Sequence, residues 1–158
     1  MLSAQRSIVG VIGWVVVLLS MTSASQAQAP VHFSYAVKKV AGQKCELHIT
    51  AEIDEGWHIY SQTQPEGAVS QPTRITCISN PLVVIPAGEW KEIGNKTTHT
   101  DGRLGLVQYQ YYHRVEFVKT VTLKAAVKTS LSGTLTYQVC TDQMCLPPKD
   151  VPFMVALQ

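Results

Sequence analysis

The sequence has no run of lysines and arginines. Its 13 basic and 11 acidic residues leave a net charge of +2. Binding nucleic acid needs clustered cations against the phosphates, so that class of function is excluded. No long apolar stretch follows residue 30, so the chain beyond it carries no membrane-spanning helix of its own. An amphipathic helix of useful length, internal repeats and low-complexity tracts are all lacking. Cysteine is sparse, at four residues. No Cys-x-x-Cys-His occurs, which rules out a covalently attached c-type haem.

What is there begins with an address. Arg6 is the only charge before residue 38, residues 8–19 are apolar, and "SMTSASQAQAP" follows. A charged start, a short apolar run and a small-residue exit make a secretory signal peptide over residues 1–27, with Ser25 and Ala27 at the cleavage positions. The apolar run of 12 residues is too short for a span, which needs ~20. The exported part, 28–158, has 158 − 27 = 131 residues and suits one domain. Without Arg6 it has 12 basic and 11 acidic residues, a net of +1. Outside the cytosol cysteines are usually oxidised. An even set, Cys45, Cys77, Cys140 and Cys145, makes disulfides the default expectation.

The exported sequence reads as all-β. In "KCELHITAEI" Cys45, Leu47, Ile49, Ala51 and Ile53 alternate with polar residues, the period of a half-buried strand. "PTRITCIS", "SGTLTYQVC" and "VPFMVAL" read as further strands, with a short one after the Glu55-Gly56 turn. The β-branched and aromatic stretch "LGLVQYQYYHRVEFVKTVTLKAAV" suggests two more. Turn residues punctuate these segments, which predicts a sandwich of two antiparallel sheets. The polar stretch 88–105 reads as one or two long surface loops.

The chemistry concentrates in "YQVCTDQMCLPPKDVPF". If residues 141–144 close a hairpin, Cys140 and Cys145 face each other as a cross-strand pair. Opposed strand residues have Cα atoms ~4.5–5.5 Å apart, within the ~4.4–6.8 Å that a disulfide accepts. Closing so short a loop stabilises the whole fold little. Pro147 and Pro148 bar a regular central strand and leave the pair near an edge. Thiol–disulfide exchange needs such access. Three readings stay open on these residues alone: a redox pair, a structural bridge on a binding module, or a soft Cu(I) site built from Cys140, Met144 and Cys145. A closed zinc site lacks its second ligand pair, and His99 and His113 have no paired spacing.

"TLTYQVCTDQMCLPPKDVPF" resembles the active-site hairpin of the N-terminal periplasmic domain of the thiol:disulfide interchange protein DsbD. Tyr137-Gln138, Cys140, Cys145, Pro147-Pro148 and Val151-Pro152 carry the likeness, and "AEIDEGWHIYS" is similar to another strand and turn of that family. The resemblance implies an immunoglobulin-like sandwich with a redox-active cysteine pair, a carrier that needs no bound cofactor and no metal. It implies electrons arriving from a membrane-embedded thiol reductase, another polypeptide here, and leaving to periplasmic thioredoxin-fold proteins, with cytochrome c maturation downstream. Cys145 would form the mixed disulfide, Cys140 would resolve it, and a cap over residues 88–105, with Trp90 or Ile93 over the sulfurs, would shield the pair.

Other residues carry expectations of their own. Cys45 and Cys77 share the inferred inner faces, either as a second disulfide or as two buried thiols. Asp142 lies between the active cysteines, where its charge would oppose thiolate formation. Tyr60 and Tyr137 are candidates to pack beside the disulfide. Nothing in the sequence implies an oligomer, so a monomer is expected.

Overall fold

The structure, a computed structural model, describes residues 29–102 and 105–157. The expected signal peptide, residues 1–27, lies outside them. Among the described residues there is no helix, and two antiparallel sheets of seven and three strands form an immunoglobulin-like sandwich.

Strands β1 (Val31–Ala41) and β2 (Lys44–Ile53) form a hairpin through Gly42, whose φ of 55° suits glycine. β2 pairs with β7 (Val107–Leu123). The chain then turns at residues 54–57, where Trp57 N–H donates to the Asp54 carbonyl at 3.1 Å. It resumes along the same edge of β7 as β3 (His58–Tyr60). β5 (Val83–Val84) and β6 (Lys91–Thr100) occupy the other edge of β7. The smaller sheet has the order β10 (Lys149–Leu157), β8 (Thr129–Tyr137), β4 (Arg74–Cys77).

The alternation in β2 holds on its core face, where Cys45, Leu47, Ile49, Ala51 and Ile53 are all buried. They pack with Val115 and Phe117 of β7 against Leu131, Leu135, Phe153 and Leu157 of the smaller sheet. Each fully buried side chain of this size contributes ~1.5–3 kcal/mol of transfer free energy. Two aromatic pairs fasten β1 to the opposite sheet: Phe33 meets Tyr137 edge-on at 5.0 Å, and Tyr35 stacks on Phe153 at 5.7 Å. Gly133 lets Phe153 lie flat across β8. A Cβ there would overlap the Phe153 ring and the Thr76 carbonyl oxygen.

Two expectations need correction, and one open alternative is resolved. The aromatic stretch is one strand of 17 residues, not two. His113, at φ 60°, absorbs the irregularity as a bulge between the β2-paired and β3-paired halves of β7. The stretch 88–105 is not loop throughout: residues 91–100 form β6, laddered to β7 despite few apolar side chains. Backbone pairing and polar contacts hold this strand where burial does not. Finally, Cys45 and Cys77 carry no disulfide. Cys45 lies buried on β2 in one sheet, and Cys77 half-buried at the end of β4 in the other.

Candidate functional site

β8 leaves the smaller sheet at Gln138, and the chain crosses to the larger one as β9 (Val139–Cys140), pairing with β3. The Gln138 side chain holds this crossing. Its Oε1 accepts from Gln71 N–H at 3.1 Å and its Nε2 donates to the Leu146 carbonyl at 3.4 Å. The next four residues turn tightly. Thr141 N–H donates to the Met144 carbonyl at 2.8 Å, and Thr141 Oγ1 accepts from the N–H groups of Gln143 and Met144 at 3.2 and 3.1 Å. Leu146 N–H then closes onto the Val139 carbonyl at 3.0 Å. The turn brings Cys140 and Cys145 opposite each other as a bridge, joined by a disulfide with Cα atoms 4.0 Å apart.

The two ends of this bond differ in exposure. Cys140 is 1% exposed, whereas Cys145 is an exposed residue in a surface turn with Asp142, Gln143 and Met144. Pro147 and Pro148 follow, also exposed, and β10 starts at Lys149.

Cys140 pairs across the strands with His58, and His58 with Tyr112. Ile59 and Val139 face the core, so their neighbours His58, Tyr60 and Cys140 share the outer face of the sheet. His58 is nonetheless only 3% exposed. Its ring lies 5.3 Å from that of Tyr60 and 5.2 Å from that of Tyr112, and its Nε2 is 3.3 Å from Tyr60 Oη. Burial lowers its pKa, the nearby Asp142 carboxylate pushes the other way, and His99 on β6 adds to the lowering. Burial also raises the hydroxyl pKa values of Tyr60 and Tyr112, and Asp142 adds to the effect at Tyr112.

The sequence candidates divide accordingly. Tyr60 lies beside His58, and its carbonyl accepts from Thr73 Oγ1 at 2.5 Å. Asp142 sits in the turn, with its charge felt at His58 and Tyr112. Pro147 lines a cavity of about 230 Å³ with Tyr137, Val139 and Leu146. Tyr137 is placed differently from expectation: it is 2% exposed in the core against Phe33, because β8 ends before the chain crosses sheets. Trp90 is buried in the core, and Ile93 pairs with Glu116, well along β7 from Tyr112. Of the described part of 88–105, the far end of β6 bears on the site through His99, which adds to the lowering of the His58 pKa.

Residues missed in the sequence include His58 and Glu92; Gln138 was read only as part of the likeness, and Tyr112 only as a strand aromatic. Glu92 ties β6 to the segment after β3. Ser61 Oγ donates to Oε2 at 2.6 Å, Tyr111 Oη to Oε2 at 2.9 Å, and Gln62 N–H to Oε1 at 2.7 Å. Burial alone would raise its pKa, but these donors outweigh burial and the net shift is downward. A signal for His58 was present in "WHIY", whose alternation puts His58 and Tyr60 on one face. Its pairing with Cys140 is a matter of register between distant segments.

A family model described as "Thiol:disulfide interchange protein DsbD, N-terminal" matches residues 24–156. No curated protein in the comparison matches the chain. Three solved structures are similar. The reduced DsbD N-terminal domain of Neisseria meningitidis has a TM-score of 0.48 and 18% identity, covering 80% of this chain and 90% of that one. The N-terminal periplasmic domain of ScsB from Proteus mirabilis has a TM-score of 0.53 and 15% identity, covering 82% and 47%. A complex between the DsbD and PilB N-terminal domains of Neisseria meningitidis gives a TM-score of 0.50 and 20% identity, covering 83% and 88%. At such identities the structural likeness concerns the fold.

Proposed function

The chain belongs to the family of DsbD N-terminal domains, and we propose that it is a periplasmic thiol–disulfide exchange module working through Cys140 and Cys145. Reduced Cys145, as thiolate, attacks the disulfide of an oxidised partner. A mixed disulfide forms and one partner thiolate leaves. Cys140 then attacks Cys145 Sγ, releasing the second partner sulfur and closing the Cys140–Cys145 bond. Two electrons pass to the partner. A membrane-embedded thiol reductase restores the dithiol, and periplasmic thioredoxin-fold proteins take the electrons onward. The domain acts as a carrier with oxidoreductase chemistry and no bound cofactor.

One observation carries this reading: a disulfide with one exposed and one buried end, closing a turn of four residues. Exchange requires approach to one sulfur along the S–S axis, and the resolving sulfur gains from shelter against competing attack. The periplasmic location is supported by the ScsB relative, described as a periplasmic domain. The PilB complex supports a protein partner docking at a domain of this fold.

The test is the redox equilibrium of the purified protein against glutathione, read by thiol trapping in a Cys45→Ala, Cys77→Ala background. A working pair titrates at about −180 to −270 mV, whereas a structural bond stays oxidised below about −300 mV. The second result would replace the carrier with a binding module.

A further inference from the structure

We propose that His58 takes the proton from Cys140 as that sulfur resolves the mixed disulfide. The inference rests on the exchange reading above and assigns a further residue to that site.

The geometry starts from the ladder. His58 and Cys140 are directly opposed on β3 and β9 and share the outer face of the sheet. Opposed residues have Cβ atoms about 4.5–5.5 Å apart, so an imidazole and a thiol there are neighbours. His58 Nε2 is engaged with Tyr60 Oη, and Nδ1 is buried with no hydrogen-bond partner among the described residues. A buried nitrogen without a partner costs free energy and calls for a reason. The oxidised pair has no S–H to donate. Reduction creates a thiol at Cys140, across the ladder from a nitrogen that lacks a partner. With its proton on Nε2, facing Tyr60, the ring presents the Nδ1 lone pair as an acceptor.

The chemistry needs that acceptor. Cys140 is 1% exposed, and a free thiolate so far from water would be poorly solvated. Exposed Cys145 can lose its proton to solvent; Cys140 cannot easily do so. In the resolving step the Cys140 S–H bond breaks toward His58 Nδ1 as Cys140 Sγ bonds to Cys145 Sγ. The bond from Cys145 to the partner breaks, and the electron pair leaves with the partner thiolate. The transient imidazolium then returns its proton to that thiolate or to solvent. Charge and atoms balance without another reactant.

The surroundings suit a neutral base. His58 faces Tyr60 on its own strand, Tyr112 on β7 and Cys140 on β9, and it feels the charges of Asp142 in the active turn and His99 on β6. Burial and His99 keep the ring neutral at rest, while the Asp142 carboxylate stabilises the cation when it forms.

The experiment loads reduced protein with glutathione at Cys145 and follows glutathione release by rapid quench from pH 5 to 9. It compares the unaltered protein with His58→Phe and His58→Gln. The unaltered protein should show a rate that rises as His58 loses its proton, below the ordinary histidine range, ahead of the rise due to the thiol itself. Both variants should lose that lower arm and resolve about 100-fold more slowly at pH 7, the effect of a positioned base. Should His58→Phe not fold, His58→Gln decides alone. An unaltered pH profile in a folded variant, or full recovery by glutamine, would overturn the role of His58 while leaving the exchange function standing. Failure of the unaltered protein to form or resolve the adduct at any pH would overturn both.

Discussion

Cys140 is buried to 1% exposure, and Cys145, bonded to it, lies on the protein surface. Their spacing in sequence is only five, so the difference comes from the sheet crossing at Gln138. Upstream of the turn the chain is laddered to β3, and downstream it passes through exposed prolines before joining β10. A docking partner therefore meets one sulfur.

That asymmetry predicts which single variant traps a partner. Cys140→Ser keeps the exposed thiol and removes its resolver, so it should accumulate a mixed disulfide with an oxidised thioredoxin-fold protein. Cys145→Ser keeps only the buried thiol and should accumulate little. Intact mass under non-reducing conditions measures both. Equal trapping would remove the assignment of roles.

Glu92 should make stability depend on acid pH. Burial opposes ionisation, but hydrogen bonds from Ser61, Gln62 and Tyr111 together outweigh it and hold the folded pKa below the ordinary glutamate value. A depressed carboxyl contributes stability that is fully present above its unfolded pKa and lost as pH falls through the folded value. Glu92→Gln should cost about 1.5–3 kcal/mol at pH 7, as loss of hydrogen bonds to a charged group does. The gap from the unaltered protein should narrow below about pH 4.5. Urea unfolding at pH 7 and pH 3 tests this, and a gap that does not narrow would contradict it. Lys96, 3.4 Å from Glu92 and 43% exposed, adds little because solvent screens the pair.

Gly133→Ala should destabilise the smaller sheet. The new methyl would overlap the Phe153 ring and the Thr76 carbonyl oxygen, on the two strands that flank β8. Overpacking of this kind costs about 1–3 kcal/mol. Gly42→Ala gives a contrast, since its Cβ would meet nothing within 4 Å and its cost is confined to the φ of 55°. Thermal unfolding of both variants measures the difference. A Gly133→Ala protein as stable as the unaltered one would show that Phe153 can move aside.

Parts of the fold were legible because their physics is local. β2 shows strict alternation, since one face packs on a core and the chain is straight. β6 was hidden because its side chains are polar and largely exposed. It is held by the β7 ladder and by Glu92, and neither leaves a hydrophobic period. The length of β7 was hidden by its bulge at His113, which interrupts the period without ending the strand. The Cys45–Cys77 alternatives depended on which sheet each strand joins, which the pattern within a strand does not encode.

The turn between Cys140 and Cys145, the opposition of the two cysteines across it and the proline-held exit were legible in the sequence, while the bond between them was one of the readings it left open. The legible features depend on neighbours within a few residues, where chain connectivity and hydrogen bonds such as those to Thr141 suffice. Only the tertiary structure decided which sulfur is sheltered, that Tyr137 packs inward, and that His58 stands across from Cys140. Those follow from the register of β9 on β3, two segments about eighty residues apart, joined by a ladder whose alignment is fixed when both sheets bury their faces together.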